Sequence, residues 1–234
     1  MRGRSMLVIF GAIVLISFVW GAADAGSKEA TKVDAATEVL TEIMSIPEKG
    51  IPPSLLHNAY GIAVIPSVIK ASLVVGGRYG TGILVVRSKE GIWSNPCFVS
   101  LAGGSVGYQI GAQSTDVILV FKSSKSIDGI IRGKFTLGAD AAIAAGPVGR
   151  QAAAATDIQL KAEIYSYSRS RGLFAGVAVE GAALQIDHKS NEAFYGKASI
   201  TPREIFTDKA IEVPAAANEF NKALAKYTAP PAKD

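Results

Sequence analysis

The chain of 234 residues is 49% hydrophobic and carries a formal net charge of +4 at pH 7. That net charge is too small to predict binding to nucleic acid by overall electrostatic attraction, so we expect no nucleic-acid partner. The single cysteine, Cys97, excludes an intrachain disulfide. His57 and His188 lack a second ligand at metal spacing, so we expect no metal site, and no pattern indicates a cofactor.

The first 25 residues have the order of a secretory signal peptide. Two arginines precede an apolar run from Met6 to Trp20, and Ala23-Asp24-Ala25 follows it. The competing interpretation is a retained transmembrane anchor, which needs about 20 apolar residues. We expect residues 1–25 to be a signal peptide, so that the mature chain begins at Gly26 in the periplasm or cell envelope. Cleavage would remove two arginines and one aspartate, and the mature chain would then carry a formal net charge of +3.

Apolar periodicity predicts three helices. Val33 to Ile46 has apolar positions at helical spacing, and its polar face is mostly acidic, which favours packing on the domain over lying on a membrane. Ile127 to Phe135 predicts a second helix, and a third begins near Pro214. We expect residues 229–234 to be a disordered tail. Asp187-His188 is predicted to lie in an exposed turn.

The middle of the chain predicts short strands. Val106 to Ala112 and Ile158 to Ile164 alternate apolar with polar or small residues, while Val117 to Phe121 is wholly apolar. Glycines at 76–82 and 103–104 are predicted to form tight turns, and the first group lacks the ending of a phosphate-binding loop. The expected fold is α+β: a curved, mainly antiparallel β-sheet or barrel-like body with a few flanking helices, in one domain over residues 26–228.

Ser105 supports the one specific enzyme hypothesis. Gly103 to Gly107 matches G-x-S-x-G, the nucleophile elbow of serine hydrolases, and His188 follows in the required order. The elbow requires a helix immediately after the serine, whereas the residues that follow alternate with the period of a strand. We therefore expect Ser105 to be structural and the protein not to be an enzyme.

A cluster of arginines and hydroxyls indicates a binding surface. Arg169 and Arg171 lie among Ser168 and Ser170, and Arg150 follows a rigid Gly-Pro turn. The planar guanidinium matches phosphate oxygens, so these five residues are the predicted site for a lipid headgroup. The alternative is that the arginines form buried ion pairs within the domain, and the sequence leaves both interpretations open.

The chain resembles the SYLF family, in particular its bacterial exported members, from about Ala36 to Tyr227. The matching stretches are Gly61–Pro66, Trp93–Phe98, Gly103–Gln113, Leu137–Asp140, Ala145–Arg150, Ser166–Gly176 and Asn191–Gly196. The resemblance implies a membrane-lipid-binding domain, which in eukaryotic relatives binds phosphoinositides and phosphatidic acid and in fungal relatives also binds actin filaments.

From these features we expect an exported protein that associates with anionic phospholipids or a membrane surface. An envelope scaffold or assembly factor that binds protein partners is the alternative, and a serine hydrolase is a remote one. We expect no appended SH3 or FYVE module, and export would separate the protein from cytoplasmic actin, so actin is expected to be an unlikely partner.

Overall fold

The computed structural model describes residues 26–45, 50–72, 75–106, 111–148, 161–170, 173–176 and 179–229. The predicted signal peptide, the tail after Ala229, and the predicted site residues Arg150 and Arg171 lie outside the described residues. The described chain has the expected α+β fold, in which a curled, mixed sheet forms a half-barrel.

The described strands form one nine-stranded sheet. They are β1 (Gly61–Ser72), β2 (Val75–Val86), β3 (Cys97–Val106), β4 (Gly111–Phe121), β5 (Phe135–Thr136), β6 (Ile143–Ala145), β7 (Ile164–Ser170), β8 (Leu173–Gly176) and β9 (Ala183–Ile186). Their order is β5-β9-β3-β2-β1-β4-β7-β6, with β8 paired to β7. Pairing is antiparallel except between β6 and β7, so the expectation of a mainly antiparallel sheet is confirmed.

Six described helices flank this sheet. They are α1 (residues 26–44), α2 (Pro53–His57), α3 (Ser124–Arg132), α4 (His188–Tyr195), α5 (Pro202–Thr207) and α6 (Ala215–Thr228). None of the helices in the described ranges is both long and apolar enough to cross a membrane.

Two apolar clusters separate the helices into layers. One cluster joins α1, α2 and α6 to one face of the sheet, with Leu40, Phe98 and Phe220 fully buried. The other joins α3 and the segments around β5 and β9 to the opposite face, with Phe121 and Leu184 fully buried. Alternating strand residues supply both clusters, because successive side chains point to opposite faces.

Strand β1 contains a bulge that fixes the register of the central strands. Its pairing with β2 shifts between Val64 and Ile69, and Ser67 has a φ of 51°. The backbone N–H of Ser67 donates to Asp116 Oδ1 at 2.9 Å. Gly82 lies against the bulge, since a Cβ at this position would be 2.1 Å from the carbonyl oxygen of Val64.

The glycine-rich turns were predicted wrongly. Residues 76–82 lie inside β2 and residues 103–104 inside β3. None of these glycines has a positive φ. Gly80 and Gly82 of β2 accommodate the close approach of β1 instead of reversing the chain.

Several element boundaries also differ from the predictions. The predicted strand Ile158 to Ile164 is described only from Lys161, which is helical, and β7 begins at Ile164. Residues 107–110 of the predicted strand Val106 to Ala112 lie outside the described ranges. Helix α3 ends at Arg132 because Gly133, at a φ of 149°, follows. The prediction of an exposed turn at Asp187 was wrong. The Asp187 carboxylate accepts a hydrogen bond from the Ser190 N–H and caps α4.

The four central strands extend beyond both apolar clusters at one end. We call residues 69–71, 76–79, 102–104 and 112–114 the open sheet end. Every one of these residues is at least partly exposed, whereas 62–65, 83–85 and 117–121 in the same strands are buried. The open sheet end is therefore a part of the sheet that the described helices leave uncovered.

Candidate functional site at the open sheet end

One face of the open sheet end is basic. Lys70 of β1 lies directly opposite Arg78 of β2, and the same cross-strand row continues to Gly103 on one side and Gln113 on the other. A Cβ on Gly103 would approach Ala182 Cα to 2.9 Å, so the segment before β9 closes over this row beside Arg78. Two cations thus share one face of adjacent strands.

These cations have no anionic partner among the described residues. The ion pairs there do not include Lys70 or Arg78. Arg78 Nε is inaccessible to solvent and has no hydrogen-bond acceptor in the described part of the chain. Like charges directly opposite destabilise a sheet, and an enclosed donor without an acceptor costs further free energy. An anion bound here would relieve both costs.

The opposite face of the open sheet end is apolar. Ile69 lies directly opposite Tyr79, and their side chains are 57% and 58% exposed. They line a cavity of about 340 Å³ together with Lys32 and Ala35 of α1 and Pro66 of the bulge. The four strands therefore present a basic face and an aromatic, apolar face at the same end.

Arg169, from the predicted headgroup site, lies beside this region but is paired. Its guanidinium contacts Glu42 of α1 and forms an ion pair of 2.8 Å with Asp116 of β4. Burial raises the pKa of the Asp116 carboxyl, while the hydrogen bond from Ser67 lowers it. The contacts of Arg169 therefore match the alternative interpretation, in which the arginine forms ion pairs within the domain.

Strand alternation separates Arg169 from the two predicted serines. Ser168 and Ser170 are adjacent to Arg169 in β7 and point to the opposite face. Ser170 Oγ accepts a hydrogen bond from Gln113 Nε2 at 3.0 Å, which joins it to the basic row. The structure brings Ser170, and not Arg169, to the face that carries Lys70 and Arg78.

Ser105 lies within β3, where it pairs with Gly76. The next described element is strand β4, not a helix. No group of three or more potential metal ligands occurs in the described ranges. Cys97 is buried, and burial raises the pKa of its thiol to about 12, so it remains protonated at neutral pH.

A second cavity, of about 430 Å³, lies at the other end of the sheet. Tyr60, Ile127 and Phe206 line it, together with Arg87. This arginine is already engaged, since it donates to the carbonyl oxygens of His57 and Gly91 and stacks on Trp93. Arg87 therefore has internal partners, in contrast to Arg78, and the other arginine that lines this cavity is the exposed Arg203.

Lys70 and Arg78 are not among the site residues predicted from the sequence. Arg78 falls in the predicted turn at residues 76–82, and Lys70 lies in no predicted element or site. Residues 68–71 and 77–80 each place a cation beside an exposed apolar side chain, and pairing them as a hairpin would have identified the two-faced arrangement. The residue types were visible in the sequence, but the register between β1 and β2, which places Lys70 opposite Arg78, was not.

Comparison with known proteins identifies the family. Residues 102–227 match the family model described as "Ysc84: Las17-binding protein actin regulator". The chain is 37% identical to Protein YSC84 of Saccharomyces cerevisiae over 74% of this chain and 37% of that protein. It is 35% identical to SH3 domain-containing YSC84-like protein 1 of Xenopus laevis over 82% of this chain and 59% of that protein.

A third relative is LAS seventeen-binding protein 3 of Saccharomyces cerevisiae, 35% identical over 73% of this chain and 37% of the relative. The chain thus spans between about a third and three fifths of the curated relatives that it matches. The expectation that actin is an unlikely partner is wrong, because the matched family is described as an actin regulator and these relatives carry corresponding names. The resemblance in sequence is confirmed, and the chain belongs to the Ysc84/SYLF domain family.

Proposed function

We propose that this chain is a non-catalytic binding domain that associates with anionic phospholipid headgroups at a membrane surface. The observation that carries the proposal is the Lys70–Arg78 pair, two cations directly opposite each other without a described carboxylate partner. A phosphodiester is the kind of anion that such a pair would bind, because the guanidinium fork and the ammonium can both donate to its oxygens.

The expected contribution of this pair to membrane affinity can be calculated from its two charges. Each basic residue close to an anionic bilayer contributes about 1 kcal/mol, so Lys70 and Arg78 together would contribute about 2 kcal/mol, roughly thirtyfold in affinity. The formal charge of the chain is only +4, so a local pair of this strength would dominate the interaction.

Sedimentation with vesicles tests the proposal. Lys70→Gln with Arg78→Gln should weaken binding to vesicles containing phosphatidylglycerol by roughly thirtyfold, while raised salt weakens the unaltered protein because screening shortens the range of the charges. The matched control is Lys189→Gln with Lys209→Gln, which removes the same charge from two exposed lysines away from the open sheet end.

The control variant should bind nearly as the unaltered protein does. Both double variants are first compared by thermal unfolding, so that a loss of binding is not a loss of fold. Equal binding by the Lys70/Arg78 variant and the unaltered protein, at low salt, would overturn the assignment of headgroup binding to this pair.

A second candidate function is binding to a protein of the actin machinery. The family description and the names of the relatives support it. Co-sedimentation with actin filaments is the direct measurement, and the same two double variants separate a role of the open sheet end from nonspecific charge. An envelope scaffold that binds other proteins belongs to the same class of hypothesis and predicts no pelleting with vesicles or filaments.

Export remains a proposal supported by the order of residues 1–25. Cleavage after Ala25 would leave every described residue in the mature protein, beginning with the first residue of α1. We expect mass spectrometry of the protein isolated from the envelope fraction to find Gly26 at its N-terminus. A peptide that spans residues 20–30 in that protein would contradict the predicted cleavage.

A further inference from the structure

The second cavity is lined by one face of each of two helices. Helix α3 contributes Ile127, Asp128 and Ile131, and α5 contributes Arg203 and Phe206. Residues three and four apart lie on the same side of a helix, so each set belongs to a single helix face. The wall of the cavity therefore consists of regular elements, whose side chains are held in place by the helix geometry.

Close packing fixes the position of both helices. A Cβ on Gly61 would lie 2.7 Å from Ile127 Cδ1, so α3 packs on the start of β1 as closely as a glycine allows. Helix α5 begins with a reciprocal capping box between Thr201 and Glu204. The cavity volume of about 430 Å³ falls in the range of about 300–1,000 Å³ that is usual for small-molecule sites. The apolar part of the cavity is therefore formed in advance of any ligand.

Two exposed charges of opposite sign lie at this apolar cavity. Arg203 and Asp128 both line it, and neither forms an ion pair with another residue in the described part of the chain. The third charged residue of the lining, Arg87, is already engaged by two carbonyl oxygens. The cavity therefore offers an external ligand one guanidinium and one carboxylate.

This combination of charges fits a zwitterion with an apolar chain. An amphiphile with only an anionic group would be repelled by Asp128, and one with only a cationic group would be repelled by Arg203. A phosphate matches the donors of a guanidinium, and a primary ammonium donates to a carboxylate. The apolar side chains of Ile127, Ile131 and Phe206 would cover a single acyl chain.

We propose that the second cavity binds a single-chain zwitterionic lipid, with its acyl chain between α3 and α5, its phosphate on Arg203 and its ammonium on Asp128. The ligand is a lipid monomer taken from solution, whereas the Lys70–Arg78 pair is proposed to bind a membrane surface. The two sites share no residue, so either proposal can fail while the other stands.

Calorimetric titration with two probes of the same chain length tests the charges. Lauroyl lysophosphatidylethanolamine, below the concentration at which it forms micelles, should bind the unaltered protein more tightly than laurate does. Arg203→Gln should weaken binding of both probes about tenfold, because each loses a charge-assisted hydrogen bond. Asp128→Asn should weaken the zwitterion about tenfold, but should strengthen laurate about twofold because a like charge is removed.

The matched controls are Lys189→Gln and Glu212→Gln, which each remove one exposed charge outside the cavity lining. Both controls should bind the two probes as the unaltered protein does. Absence of binding by the zwitterion, or an Asp128→Asn variant that binds it more tightly, would overturn the proposal. Arg203→Gln and Asp128→Asn should still pellet with phosphatidylglycerol vesicles, so a loss at the second cavity is distinguished from a loss at the Lys70–Arg78 pair.

Filling the cavity provides a second readout. Ile131 is half-buried, and Ile131→Trp should weaken lysophosphatidylethanolamine binding at least about tenfold because the larger ring occupies the space of the acyl chain. Thermal unfolding checks the fold, and Phe206→Trp replaces this variant if it does not fold. Unchanged binding by a folded variant would contradict the proposal. A ligand-free dimer in sedimentation velocity that Ile131→Trp dissociates would assign the cavity to a second copy of the chain and would also overturn it.

Discussion

Arg169 and Arg78 lie in the same sheet in opposite electrostatic surroundings. Arg169 contacts two carboxylates, Glu42 and Asp116, and so connects α1, β4 and β7. Arg78 lies opposite Lys70 and has an enclosed Nε without a described acceptor. Arg169 is neutralised by its two carboxylates, whereas Arg78 has no described anionic partner. We therefore expect Arg169 to contribute to stability and Arg78 to contribute to the proposed binding.

We therefore expect Arg169→Gln to lower the free energy of unfolding by about 1–3 kcal/mol, because it leaves the partly buried Asp116 without its cation. Urea unfolding measures this change. Arg203→Gln, which alters an exposed arginine, should change it by no more than about 0.5 kcal/mol. A normally stable Arg169→Gln variant that loses vesicle binding would instead support the predicted headgroup role of Arg169.

At the scale of elements, the helices and strands that were predicted correctly are those whose burial pattern depends only on their own residues. The apolar positions of α1 and α6 recur at helical spacing, and Leu40, Phe220 and Leu224 are fully buried as that pattern requires. The apolar run Val117–Phe121 is likewise a buried strand segment. In each case the segment's own periodicity carries the information.

The elements that were missed depend on distant parts of the chain. Glycine in β2 is needed because the bulge of β1 approaches Gly82, and no pattern inside β2 distinguishes this from a turn. Helix α4 is held by Asn191, whose Oδ1 accepts from the Phe98 N–H of β3 at 2.8 Å. The candidate site has the same origin, since Lys70 and Arg78 are adjacent only through the register that the bulge sets.

On the scale of the whole molecule, the buried packing and the proposed binding surface occupy opposite ends of the central strands. The covered end contains the apolar clusters. There Trp93 Nε1 also donates a hydrogen bond to Thr228 Oγ1 at 2.9 Å, which connects α6 to the sheet. The open sheet end retains its ladder of hydrogen bonds but lacks buried apolar packing. Local opening should therefore cost less free energy at the open sheet end than at the covered end.

Hydrogen exchange measured by mass spectrometry can observe both ends in one experiment. Amides of residues 76–79 should exchange at least about tenfold faster than those of residues 83–85 in the same strand, a difference of about 1.4 kcal/mol in opening free energy. Vesicles containing phosphatidylglycerol should slow exchange at residues 69–71 and 76–79, because docking must be lost before these strands can open. Vesicles of phosphatidylcholine alone, which lack the anionic headgroup, should leave both ends unchanged. Protection that appears instead around residues 203–207 would place the membrane contact at the second cavity, where Arg87 already has internal partners, and would contradict docking through the open sheet end.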